Sequence, residues 1–404
     1  MRAFSMMLAS LVLASILGAD VSPTARLEAG TDLGNLAQRV EALEQAAKKP
    51  AYPVKIEGYA QLRYEDQGYK VGAWNSRSSG LGLAVPVTAN VRGAYFKRVE
   101  MKLSGVLLSK LDWVIGFGFD EGKLKDVGTV WSGLPLFHLE GYTWILQAGQ
   151  FRQKFGIEPQ TGSPKLAFHE RAILYGGAHP FPATNLKMVG ERVLGLHAMH
   201  SHQYEVLGYD WGWSISNDAN DQSKGSNSLG LAFPTQAGDE NPTLSARLGL
   251  KGGPAKLGVS WQRNSKDTVF MASLPSQQAY DEILGIDWRS ELPGWGWVQA
   301  EYVALQAING ATGLGLRQEG YYTDLGVYPL GFLGHQEIED VFRYERITPL
   351  GAAFPAYYSS ATLGLSWTYG RAKTSVNYAM YAVEDDFGAM GNTSLFTLQQ
   401  QFTY

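Results

Sequence analysis

From Pro53 to the last residue, Tyr404, the sequence alternates with a period of two. Val54, Ile56, Gly58, Ala60 and Leu62 interleave with Lys55, Glu57, Tyr59, Gln61 and Arg63. Leu111, Trp113, Ile115, Phe117 and Phe119 interleave with Asp112, Gly116, Gly118 and Asp120; Leu363, Leu365, Trp367 and Tyr369 interleave with Thr362, Ser366 and Thr368. Side chains on a strand point to opposite faces in turn, so one face is apolar and aromatic while the other is polar or glycine. Repetition in segments of roughly ten residues is the pattern of strands that meet lipid on one side and water on the other. After Ala19 no run reaches the ~18 apolar residues of a helical span. A chain of this kind crosses a membrane only as a closed barrel, because every backbone N–H and C=O must be satisfied within it.

The alternation predicts an all-β, transmembrane antiparallel barrel of about 16 strands. Strands are expected to begin near Val54, Ala94, Lys110, Leu124, Tyr142, Glu191, Gln203, Thr243, Ala255, Ala279, Gly296, Gln318, Gln336, Tyr357, Arg371 and Thr393. Leu108-Ser109, Ser201-His202, Gly252-Gly253-Pro254, Pro293-Gly294 and Gly370 read as tight turns on one rim. Residues 66–93, 153–190, 217–242 and 264–278 read as long polar loops on the other. Short turns on one side place both termini on the periplasmic face.

Residues 147–177 begin as a strand and end irregularly. Gln150, Arg152 and Lys154 alternate with Phe151, Gln153 and Phe155, and then Gly156, Pro159, Gly162 and Pro164 stop the ladder. Basic residues continue past that stop, at Lys165 and Arg171. Positive charge carried into a long irregular segment suits a loop folded into a barrel lumen, where non-helical backbone is tolerated.

The same stretch carries a family resemblance. GQFRQKFGIEP followed by LAFHERAIL resembles the phosphate-selective porins, with Arg152 at the fourth position of the Gly-Gln-Phe-Lys strand end and His169 where Met is usual. YFKRVEMKLSG resembles that family's Arg-Arg-Ala-Arg strand, thinned to Lys97, Arg98 and Val99; QEIEDVFRYERI, ATLGLSWTYG and KTSVNYAMY resemble its closing strands. The terminal strand ends on Tyr404 and resembles the signal read by the outer-membrane barrel assembly machinery. The resemblance implies an outer-membrane homotrimer passing small hydrophilic solutes.

Residues 1–19 read as a secretory signal, with Arg2 ahead of an apolar run and Gly18-Ala19 for cleavage. Residues 20–52 then form a periplasmic linker, and residues 53–404 the barrel. Within the linker, Leu33, Leu36, Val40, Leu43 and Ala47 fall at spacings of 3, 4, 3 and 4, a short coiled-coil seam; a solitary amphipathic helix or a tether remains an alternative.

Arg98, Lys102, Arg152, Lys154, Lys165 and Arg171 are the candidate pore-lining cations, since charge in a narrow low-dielectric passage tunes ion selectivity. Some of them have candidate counter-ions in Glu100, Glu158 and Glu170. HAMHSH, with His197, His200 and His202, has metal-capable spacing but sits at an expected turn, and Asp218, Asn220, Asp221, Ser223 and Gly225 lack the register of a calcium loop. No metal or cofactor is assigned. No nucleophile motif points to an enzyme. A net charge of −4 argues against nucleic acid. The function read from the residues and the resemblance is passive, anion-leaning diffusion, of phosphate or other small anions such as carboxylates. The expected partners are small anionic or polar solutes, outer-membrane lipid and lipopolysaccharide. A surface-adhesion barrel and a barrel hydrolase are the rival classes.

Overall fold

The computed structural model describes residues 54–68, 92–107, 111–119, 123–132, 143–175, 188–189, 192–204, 207–216, 242–268, 277–308, 315–348, 356–385 and 388–404. The expected signal, the coiled-coil seam and the Asp218–Gly225 residues lie outside them. None of the described helices is long and apolar enough to cross a membrane.

Among the described residues, sixteen strands close into one antiparallel barrel. They are β1 (Lys55–Gly68), β2 (Arg92–Leu107), β3 (Leu111–Gly118), β4 (Lys123–Ser132), β5 (Thr143–Arg152), β6 (Arg192–Gln203), β7 (Leu207–Ser216) and β8 (Thr243–Gly252). Then follow β9 (Ala255–Thr268), β10 (Gln277–Leu292), β11 (Gly296–Ile308), β12 (Gly315–Val327), β13 (Ile338–Ile347), β14 (Ala356–Tyr369), β15 (Ala372–Asp385) and β16 (Gly388–Thr403). Each strand pairs with its sequence neighbour, and β16 returns to β1. Tyr404 seals that seam: its N–H donates to the Gly58 carbonyl at 3.0 Å and its carbonyl accepts from the Gly58 N–H at 3.1 Å. A Cβ on Gly58 would stand 2.3 Å from the Tyr404 hydroxyl, so glycine permits the closure.

The register converts the two-residue period into two faces. Phe396, Tyr378, Leu363, Phe342 and Leu325 stand opposite one another on β16 to β12 and form one exposed apolar row. One residue along, Thr397, Asn377, Gly364 and Val341 form a row on the lumen side. The lumen face is polar almost throughout, with Gln61, Ser260, Gln262, Gln299, Gln399 and Gln401 buried there. Leaving a large apolar side chain in water forgoes about 1.5–3 kcal/mol. Repeated around the whole barrel, that sum excludes an aqueous exterior and matches a lipid one.

Some joins differ from expectation. Ser201 and His202 are strand residues, because β6 runs on to Gln203 and pairs with β7 as far as Gly208. His200 is buried against Trp144 and Trp211, with ring centroids at 4.9 and 6.1 Å. This aromatic packing extends the strand where the polar sequence suggested a turn. β9 extends to Thr268, shortening the loop expected at 264–278. The long and short rims are not strictly separated. β15 and β16 join through residues 386–387 and β3 and β4 through residues 119–122, on the same rim as the long joins after β1, β5 and β7.

Candidate functional site

The chain leaves β5 at Arg152 and turns into the lumen. Gly156 takes φ +59°, and a Cβ there would meet the Tyr175 hydroxyl at 2.3 Å and Glu301 Oε2 at 2.6 Å. Only glycine allows this turn and this closeness together. The inner loop then presses apolar side chains onto the wall. Phe155, Ile173, Leu174 and Tyr175 form one buried cluster with Ile283, Val303, Leu305, Tyr322, Ile347 and Tyr358 of β10 to β14. Gly285 makes room, since a Cβ there would stand 2.6 Å from the Phe155 ring. Burial of each large side chain contributes about 1.5–3 kcal/mol toward ordering the loop.

Polar pegs fix its position. On the near limb, Gln153 donates to Gln262 of β9, and the Gly156 N–H donates to Ser260 Oγ at 3.2 Å. Glu301 of β11 accepts the N–H groups of Ile157 and Glu158, the latter at 3.1 Å, and the Tyr175 hydroxyl. In the middle, Arg343 of β13 donates to Asp324 of β12 at 2.7 and 2.8 Å and to Glu158 of the loop, and lies over the Phe168 ring at 4.4 Å. Glu345 accepts the Ile173 N–H at 2.8 Å and the Ser360 hydroxyl at 2.6 Å. On the far limb, His169 bonds Thr397 and Ser375, both at 2.6 Å. Burial, with Arg63 beside it, holds the His169 imidazole down at about 3, so it stays neutral. A neutral ring donates from one nitrogen and accepts at the other, which matches its two hydroxyl partners.

The charged centre of the site is Glu170. A bulge in the β1–β2 ladder between Gln61 and Leu62 leaves Lys97 outside the pairing, so that Lys97 and Arg98 both reach this carboxylate, at 2.8 and 3.7 Å. Arg63 of β1 completes the set, donating to Glu170, to Gln399 at 3.0 and 2.8 Å and to the His169 carbonyl at 2.9 Å. Burial pushes the Glu170 carboxyl up, but Arg63, Lys97 and Arg98 outweigh it and hold it at about 2. Three cations thus meet one loop carboxylate, with Glu65 as a second anion 3.2 Å from Arg63.

The six candidate cations fall into different settings. Arg98 belongs to the Glu170 cluster, and Lys102 stands exposed on the lumen face opposite Glu57. Arg152 is the last residue of β5, and Lys154 lies past the strand, so the two do not continue one ladder. Phe151, Gln153 and Phe155, the intervening residues, are the buried ones. Arg152 and buried Arg171 converge on the Thr161 carbonyl, at 3.0 and 2.8 Å, and Arg171 also donates to the Glu158 carbonyl. Lys165 is exposed at the end of the 3-10 turn Ser163–Lys165. Arg63, Lys97, Arg343 and Glu301 escaped selection from sequence. Period two put Arg63 on the polar face, but nothing local marked it as the loop's anchor.

Residues 84–280 match the family model described as phosphate-selective porin O and P. Over that span the chain matches the phosphate-selective porins. An anion-selective porin from Comamonas acidovorans has a similar fold, with TM-score 0.55 and 9% identity, over 87% of this chain and 100% of that one. A loop L8 deletion mutant of OmpT, an outer membrane protein of Vibrio cholerae, has TM-score 0.53 and 10% identity, over 88% of this chain and all of that one. At these identities the likeness is one of fold: a closed 16-strand porin barrel. No curated protein sequence matches the chain.

Proposed function

We infer that the protein is an outer-membrane porin that lets small hydrophilic solutes diffuse passively, with a lean toward anions. One observation carries the reading: the loop after β5 crosses the lumen and brings Glu170 against Arg63, Lys97 and Arg98. A passage narrowed by a docked loop and lined by excess cations concentrates anions, because low-dielectric walls focus the field. The family match over 84–280 supports the same reading. Phosphate and small carboxylates are the solute class.

Of the six, Lys102 and Lys165 are exposed to water, and Arg98 stands beside Glu170. Arg152 and Lys154 act with them as part of the same positive wall, and Arg171 holds the loop in place. The barrel works as a channel and carries no reaction. Its membrane is that of a Gram-negative bacterium, with outer-membrane lipid and lipopolysaccharide around the apolar belt and the barrel assembly machinery inserting it. Both termini lie in the periplasm, residues 1–19 being a signal, residues 20–52 the linker and residues 53–404 the barrel. The assembly is a homotrimer; a trimer form is described for the Vibrio cholerae OmpT, which shares the fold at TM-score 0.51 and 8% identity, over 87% of this chain and 99% of that one.

The test is single-channel conductance of the purified protein in a planar bilayer. Stepwise, ohmic current increments are the expected result. A barrel that inserts and stays silent supports the adhesion or hydrolase classes instead.

A further inference from the structure

Between the inner loop and the wall of β11, β12, β13 and β15 lies a recess of about 200 Å³. One water takes about 30 Å³, so the space admits a small solute. Most of the charges lining it are already committed. Arg343 holds Glu158 and Asp324, and Arg289 bonds Glu291 at 2.8 Å and Gln299 at 3.0 Å. Three are not. Lys373 of β15 reaches the Leu166 carbonyl at 3.3 Å, and among the described residues neither it nor Lys165 of the loop has a carboxylate within ion-pair distance. Glu339 of β13 accepts from the Trp297 indole at 2.7 Å and the Ser366 hydroxyl at 3.4 Å, both neutral donors.

Two ammonium groups and one carboxylate, none of them closed into a direct ion pair, therefore face the same small volume, with Glu339 exerting its field on Lys373 and Lys165 on Glu57. A simple anion would satisfy the lysines and meet repulsion from Glu339; a simple cation would meet the reverse. A solute carrying both charges satisfies all three groups. We propose that this recess is a dwell site for small zwitterions of amino-acid chemistry, the carboxylate held by Lys165 and Lys373 and the ammonium by Glu339. It adds a substrate class to the porin reading above, and its site is separate from the Glu170 cluster.

Calorimetry on the detergent-solubilised full-length protein tests it without relying on conduction. The probes are 4-aminobutanoate and its two halves, butanoate and butylamine. Charge-assisted contacts of this kind are worth about tenfold or more in affinity. The wild type should bind 4-aminobutanoate at least about tenfold tighter than either half. Glu339→Gln should bring it down to the affinity of butanoate. Lys165→Gln with Lys373→Gln should bring it down to that of butylamine. Lys165 is exposed on the loop, so Lys165→Gln alone leaves folding intact and should still weaken 4-aminobutanoate and butanoate together. Butanoate binding as tightly as 4-aminobutanoate, or a folded Glu339→Gln variant with unchanged preference, overturns the proposal. A wild type that binds 4-aminobutanoate but conducts no current would refute the porin reading and leave the recess standing.

Discussion

The guanidinium of Arg63, on the first strand, donates to the backbone carbonyl of His169 at 2.9 Å. This single bond joins residues 106 apart in sequence and ties the far limb of the inner loop to the strand that closes the barrel. Arg63 is fully buried and also serves Glu170 and Gln399. Removing one partner of such a buried set leaves the others uncompensated, a loss of about 3 kcal/mol. Arg63→Met should lower the denaturant midpoint of the barrel and raise the open-channel noise as the loop loosens. Unchanged noise and midpoint would show that the loop is held by its apolar face alone.

Gly156 and Gly253 form a matched pair. Both have positive φ, +59° and +53°. A Cβ at 253 meets nothing within 4 Å, whereas one at 156 collides with Tyr175 and Glu301. Gly253→Ala should cost only about 1 kcal/mol of backbone strain. Gly156→Ala should cost more and widen the constriction, seen as higher conductance with faster passage of larger sugars in liposome swelling. Equal effects of the two would contradict the docking of the near limb.

Selectivity and loop stability should separate by mutation. Lys102→Gln with Lys165→Gln should shift the reversal potential toward cations with little change in the unfolding midpoint, because both side chains are exposed. Arg171→Gln should do the opposite. Its buried guanidinium donates to the Glu158 and Thr161 carbonyls, and each such charged hydrogen bond contributes about 1.5–3 kcal/mol. The triple replacement of Arg152, Lys154 and Arg171 by Gln should therefore move both readouts.

Acid should act through Glu170. Its carboxyl is held at about 2 against an ordinary 4.5. A depressed carboxyl contributes stability that is complete above the unfolded value and lost as pH falls through the folded one. Thermal unfolding of the wild type should thus weaken between about pH 4.5 and pH 2, and Glu170→Gln should remove that part of the dependence. Parallel pH profiles for the two proteins would show that Glu170 is not the group responsible.

The barrel was legible because lipid and water impose their pattern on every strand separately. The expected start at Ala255 is the observed start of β9, and most other starts fall within three residues of those observed. The errors arose where packing outweighed polarity. His200 and His202 look like turn residues, yet ring contacts with Trp144, Tyr204 and Tyr209 hold them in β6. The loop's path into the lumen was readable from Gly156, Pro159 and Pro164, but its anchors were not. Arg343 meets Glu158 across 185 residues, and the bulge that gathers Lys97 and Arg98 is set by the β1–β2 register. Neither leaves a local signal.

The most direct test is the zero-current reversal potential of the wild-type channel across a potassium chloride gradient. Excess cations around Glu170 predict anion selectivity that weakens as salt rises and the Debye length contracts from about 10 Å at 0.1 M to about 3 Å at 1 M. A cation-selective reversal potential at low salt, in a channel that conducts normally, would contradict the account.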